Sequence, residues 1–131
     1  MRKLTFIIFA LGVILIFQSC ATSEKELAEP KGILLGQSEL EQLFKNECSY
    51  YYRNSEGHSG TNTCFPDGKQ KMKWRAGSDT GTYRIINGQK CNKWKDTNPG
   101  KEECYQFYKI HENKYSSVCT NCSKSWILTF K

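Results

Sequence analysis

From Asn54 onward the chain is punctuated so often by reversals that no long element fits between them. Turn-forming clusters recur at Asn54 to Gly60, Pro66-Asp67-Gly68, Ala76-Gly77-Ser78-Asp79, Asn87-Gly88, Asn98-Pro99-Gly100, Glu112-Asn113 and Thr120-Asn121. Gly and Asn tolerate positive φ, Pro pre-sets the first turn residue, and Asp and Asn side chains fold back on their own backbone. The spacing leaves room for about eight short strands. Asn87-Gly88 is the sharpest signal, because it lies between Tyr83-Arg84-Ile85-Ile86 and Gln89-Lys90-Cys91 and supplies the two positive-φ residues of a type I′ hairpin. In the last segment Trp126, Leu128 and Phe130 alternate with Ser125, Ile127 and Thr129, which gives that strand one core face. The expected fold is all-β, mainly an antiparallel meander, closed as a barrel or packed as a sandwich.

One helix is expected ahead of the strands. Ser38-Glu39-Leu40-Glu41 has the Ser-x-x-Glu spacing of a capping box, and Leu40, Leu43 and Phe44 form one apolar stripe over about two turns. Such a helix is suited to closing one end of a sheet, with a partner-binding helix as the alternative.

The first 20 residues have a separate logic. Arg2 and Lys3 precede the apolar run Leu4 to Phe17, which ends in Gln18-Ser19-Cys20. The run is about 14 residues, short of the roughly 20 needed to span a bilayer, and has the layout of a secretory signal. With a cysteine at the cleavage point, it resembles a bacterial lipoprotein signal, although Phe17 stands where Leu is usual. That resemblance implies cutting before Cys20, lipid on its thiol, and a place in the cell envelope. Ala21 rather than Asp behind the cysteine implies the outer membrane. Simple secretion after cleavage near Ala21 is the rival. The expected organisation is residues 1–19 as signal, 20–36 as lipidated tether and 37–131 as one domain. Ser23-Glu24-Lys25-Glu26 and Ala28-Glu29-Pro30-Lys31-Gly32 offer the tether no apolar period to offset the entropy of ordering.

Seven cysteines occur, and an exported chain whose Cys20 carries lipid keeps six for pairing. Cys91 and Cys104, on consecutive strands around the loop Asp96 to Glu103, are the first expected disulfide. Cys48 and Cys64, flanking another hairpin, are the second. Cys119-Thr120-Asn121-Cys122 is compatible with a redox couple, half a zinc site or a bridge across a turn. It follows the strand-like Tyr115-Ser116-Ser117-Val118 rather than opening a helix, and His58 and His111 are isolated, so the bridge is the expected reading.

Without residues 1–20 the basic residues number 17 against 13 acidic, a mildly basic chain. Lys69, Lys71, Lys73 and Arg75 alternate with Gln70, Met72 and Trp74, placing four cations on one face of a strand. Arg84, Lys90, Lys93 and Lys95 are expected to widen that face into an anion-binding surface for lipid headgroups, a lipopolysaccharide phosphate or an acidic protein. Solvated strand lysines that discourage edge pairing are the plainer reading. Tyr50-Tyr51-Tyr52 puts two rings on one face and one on the other, for core filling or for lining a ligand cavity. No phosphate loop, metalloprotease motif, nucleophile elbow or carboxylate pair marks an enzyme, no cofactor or metal motif is found, and nucleic acid is not an expected partner.

Leu43-Phe44, Phe65-Pro66-Asp67-Gly68, Gly81-Thr82-Tyr83-Arg84-Ile85, Cys91 with Trp94, and Cys104-Tyr105 occur in an order that resembles a family of small exported bacterial β-rich domains of unknown function. The resemblance spans roughly Glu39 to Phe130. It departs at Tyr83, where Trp is commoner, and in the added Cys48, Cys64, Cys119 and Cys122. It implies fold and location and no activity. The expected function is a non-enzymatic envelope lipoprotein that binds a ligand or partner through its β domain. The alternatives are an exported enzyme with a dispersed site and a lysozyme-inhibitor-like protein, for which Asp79-Thr80-Gly81-Thr82-Tyr83 is a loose match to the inhibitory loop.

Overall fold

A computed structural model describes residues 32–131. The signal segment, Cys20 and most of the expected tether lie outside the described residues. Because successive strand side chains alternate between faces, a chain with apolar or aromatic residues at alternate strand positions can bury one row per strand by curling the sheet on itself. That is the observed solution. The strands are β1 (Ile33–Leu34), β2 (Cys48–Arg53), β3 (Ser59–Cys64), β4 (Lys69–Trp74), β5 (Gly77–Ile86), β6 (Gln89–Trp94), β7 (Glu102–His111), β8 (Lys114–Cys119) and β9 (Ser125–Phe130), with one helix, α1 (Gln37–Leu43). β2 to β9 pair antiparallel with their sequence neighbours, and β9 pairs back onto β2 with Tyr50 opposite Phe130. The meander is a closed eight-stranded barrel, not a sandwich.

Asn87 and Gly88 adopt φ of 54° and 70° and join β5 to β6 as the hairpin chemistry requires. Two turns differ from the sequence expectation. Ala76 to Asp79 does not form a four-residue turn: only Arg75 and Ala76 lie between β4 and β5, and Gly77 to Asp79 are already paired with Trp74, Lys73 and Met72. Strand pairing satisfies more backbone groups than a wider loop, and Gly81 further along β5 lets the backbone approach closely, since a Cβ there would strike the Lys93 carbonyl and the Trp94 ring.

The expected tether also ends earlier. Ile33 and Leu34 pair with Lys109 and Tyr108 of β7, and Leu35 is buried, so the fold begins before residue 37. β1 continues the line of β6 along the β7 edge that β6 leaves uncovered beyond Tyr105. The helix starts two residues before the expected cap: Gly36 is the N-cap, and its backbone N–H donates to Glu39 Oε1 at 3.3 Å. Gln37 ties α1 to the barrel by donating to the Ile85 carbonyl and accepting from the Gly88 N–H at 2.7 Å.

Thus seated, α1 drives Leu40 and Phe44 into one end of the barrel. Phe44 meets Tyr83, Phe107 and Phe130 with ring centroids 5.7, 5.7 and 6.0 Å away. Tyr50, tilted, and Tyr115, edge to face, pack on Phe130 from two further strands. Rings fill this end because the domain has few aliphatic residues, and one ring buries far more area than one methyl branch. Phe44→Ala should cost about 3–5 kcal/mol in urea unfolding, the range for emptying a buried aromatic site. A loss under about 1 kcal/mol would show that the closed end does not depend on this ring.

Candidate ligand site

The inward rows of β2, β3, β4 and β6 carry polar side chains at mid-height. Asn62 Nδ2 donates to the Tyr50 hydroxyl at 2.7 Å and to Gln70 Oε1 at 3.3 Å, and Gln70 Nε2 donates to Asn92 Oδ1 at 3.1 Å and to the Thr82 carbonyl at 3.0 Å. Lys90 Nζ donates to Gln70 Oε1 at 2.8 Å and to Asn92 Oδ1, and lies 4.9, 5.5 and 6.0 Å from the ring centres of Tyr83, Phe44 and Tyr50. Two amide oxygens accept from this ammonium and three rings turn toward it. Burial pushes the Lys90 pKa down, and the thiols of Cys64 and Cys48 oppose that shift. Lys90 is 1% exposed, so it does not belong to the outer basic face where the sequence reading put it. Its position shares the parity of Asn92 and Trp94, which face inward, whereas Lys93 has the parity of the outward Cys91.

Above this polar layer the barrel is open. A cup of about 870 Å³ is lined by Tyr52, Met72, Trp74, Trp94, Tyr105 and Trp126, so all three tryptophans of the chain face one cavity. Tyr52 meets Trp126 edge to face at 5.3 Å. The volume lies within the roughly 300–1,000 Å³ of small-molecule sites. Four connections surround the mouth and contribute Asn54, His58, Arg75, Thr97 and Lys124. Of Tyr50-Tyr51-Tyr52, Tyr50 packs in the floor, Tyr52 lines the cup and Tyr51 faces out.

Two carboxylates hold the mouth in shape. Asp79 accepts from the backbone N–H groups of Thr80, Asp96 and Thr97, the last at 2.7 Å, and so pins the β6–β7 loop. Its burial would raise its pKa, but the hydrogen bonds from Thr97, Asp96 and Thr80 outweigh that and hold it low. Sequence reading placed Asp79 in a turn and missed this role, which only the long-range pairing reveals. Glu103, 8% exposed, accepts from Lys124 Nζ at 2.8 Å, Asn98 Nδ2 at 3.0 Å and the Tyr105 hydroxyl at 2.8 Å. Burial again opposes ionisation, and the Lys124 ammonium with the Asn98 and Tyr105 donors wins, keeping the carboxyl below its ordinary value. Glu103 is thus an ionised, fully partnered group of the cup wall.

The remaining expected site residues disperse. Cys91 and Cys104 form a disulfide across β6 and β7, as expected, and Cys119 and Cys122 form the short bridge across the β8–β9 turn. Cys48 and Cys64, the expected second pair, stand opposite each other in register on β2 and β3 but are free thiols. Within this pair Cys64 holds the thiolate more readily: a hydrogen bond from Cys48 brings it down to about 7 against the effect of burial, helped by the Lys90 ammonium. Cys48 is pushed far up in turn. Lys69, Lys71 and Lys73 line the outer face of β4, while Arg75 leaves that row for the mouth of the cup. Arg84 is engaged with Glu102, at 2.7 and 3.1 Å, and is not available as a free cation. Asp79 to Tyr83 lies inside β5, so the segment compared with an inhibitory loop is strand. His58 lies at the mouth of the cup and His111 at the end of β7.

A carboxylate with a lowered folded-state pKa adds stability above its unfolded value, about 4.3 for Glu, and loses it as pH falls through the folded value. The stability gap between the wild type and Glu103→Gln should therefore be full near neutrality and shrink as pH drops below about 4. Equilibrium urea unfolding across pH measures this, and a gap independent of pH would refute the role given to Glu103. Comparison with known protein families, with curated proteins and with solved structures returns no match to this chain.

Proposed function

We propose that this protein is a non-enzymatic binding module whose ligand is a small molecule with a flat or extended apolar body, held in the open half of the barrel. The observation that carries the reading is the convergence of Trp74, Trp94 and Trp126, from three separate strands, on one cavity of about 870 Å³. Aromatic side chains that only needed burial would have filled that space, as they do around Phe44 at the other end. The floor supports the same reading: Asn62, Gln70, Lys90 and Asn92 are linked into one network, and among the described residues no buried side-chain nitrogen or oxygen is left without a partner, so a ligand meets a braced base. Orientation then falls to the mouth. Lys124 is neutralised by Glu103, whereas Arg75 has no ion-pair partner among the described residues. An acidic group on the ligand would sit against Arg75.

The protein works from the cell envelope, held by lipid on Cys20. The support for this part is the signal-like segment ending in that cysteine.

Anilinonaphthalene sulfonate, an apolar ring system with one anionic group, is a suitable probe. It should bind the full chain with one-to-one stoichiometry and quench the tryptophan emission. Ser117→Phe, which adds a ring inside the cup opposite Trp126 in the β8–β9 register, should weaken binding at least tenfold while leaving the far-ultraviolet circular dichroism unchanged. Undiminished binding in that folded variant would defeat the cup assignment. For the anchor, wild-type chain expressed in a bacterium should partition into the detergent phase and Cys20→Ala into the aqueous phase. Equal partitioning would remove lipid from the reading.

A further inference from the structure

Lysines on strands commonly protect an exposed sheet edge. That explanation fails for β4, which is hydrogen-bonded to β3 on one side and β5 on the other along its whole length. Lys69, Lys71 and Lys73 nonetheless project from its outer face, all exposed. Across β5, Lys93 on β6 and Lys95 just beyond it form a second exposed row. The register sets them out: Lys71 lies opposite Thr80, and Thr82 lies opposite Lys93. Strand spacing puts the rows about 10 Å apart, and neighbours within a row about 7 Å apart. Between them run the short side chains of Thr80, Gly81 and Thr82, so the face is a shallow furrow with cationic banks. Lys69 is paired with Asp67 at 3.9 Å, whereas Lys71, Lys73, Lys93 and Lys95 have no ion pair among the described residues.

We propose that this furrow seats the barrel on an anionic lipid surface, with the four unpaired lysines lying over headgroup phosphates. Lysine rather than arginine suits such a partner, because an ammonium on a flexible stem follows a fluid array of charges, whereas a guanidinium fork grips one oxyanion at fixed geometry. Gln70, the buried side chain bordering the furrow, spends its amide N–H groups on the Thr82 carbonyl and Asn92, and four spread charges match a surface better than a point. Trp74, turned inward from the lysine row, lies at the cup rim where this face ends. It follows Lys73 at the strand end, is 36% exposed, and is the residue type that settles at the level of lipid headgroups. With the furrow against the membrane, Trp74 and Trp94 bring the cup mouth to the interface, where an apolar ligand would be met. The furrow and the cup are separate surfaces, so either can fail without the other.

The test is co-sedimentation of the full chain with vesicles of mixed phosphatidylglycerol and phosphatidylcholine, and with vesicles of phosphatidylcholine alone. An acyl anchor on the chain enters both, so the ratio of the two partition coefficients isolates the furrow. At about 1 kcal/mol per lysine, or about fivefold, Lys71→Gln with Lys73→Gln should lower the ratio about 25-fold, and Lys93→Gln with Lys95→Gln equally. Lys45→Gln with Lys109→Gln, exposed elsewhere, should change it by less than about fivefold. Raising ionic strength from about 0.1 M to about 1 M shortens the screening length from about 10 Å to about 3 Å and should abolish the preference. No preference for anionic vesicles, an equal fall in the control pair, or release by inorganic phosphate at constant ionic strength would each overturn the proposal.

Discussion

One ammonium group divides this molecule. Lys90 stands near the barrel axis, completely enclosed, its charge met by two amide oxygens and three ring faces. A buried cation with incomplete partners would cost several kcal/mol, so the side chains that meet it are constrained as a set. Gln70 has to present its oxygen to Lys90 and its nitrogen to Asn92, and Asn62 then completes the Gln70 oxygen. Tyr83 and Phe44 have to turn their faces toward the charge. Everything on the helix side of this layer is a ring-filled core, and everything beyond it is a cup. Replacing Lys90 by an apolar residue would take one of the donors from the Gln70 oxygen and one from the Asn92 oxygen together, so the layer is better regarded as one unit than as separate residues.

Closure of the sheet is the second constraint. The β2–β9 pairing joins the two ends of the meander and removes every edge except that used by β1. Closure also explains where the disulfides lie. Cys91–Cys104 clamps neighbouring strands from outside, whereas Cys119–Cys122 braces a turn at the mouth with Cys119 buried in the inward row of β8. Cys48 and Cys64 also face inward, opposite each other in register and unbridged, beside Lys90.

Local chemistry was legible in the chain. Asn87-Gly88, the alternation of Trp126, Leu128 and Phe130, the stripe Leu40-Leu43-Phe44 and the first disulfide all depend on a few adjacent residues or one hairpin, and each is found as read. The misses share another character. The charge of Lys90 argues for the outer face and its parity with Trp94 on the same strand argues for the inner one, and the parity prevails. Ile33-Leu34 gives no periodicity over two residues, and its strand state comes wholly from the vacant stretch of β7. Ala76 to Asp79 carries turn residues but is drawn into β5 by its partners on β4. That the interior is half full could not be read at all, since it depends on how eight inward rows add up across the closure.

The two ends of the described chain have a common address. Gly32 lies against Lys109 and Ile110, and Lys131 donates its backbone N–H to the Ser49 carbonyl, so both ends of the described residues lie at the pole stoppered by α1. The four connections around the opposite pole are all internal. A molecule arranged in this way can be leashed, fused or extended at one pole while its receptive rim is redrawn by loop substitutions at the other. Holding and recognising are separated along the barrel axis, and each can change without asking the other to move.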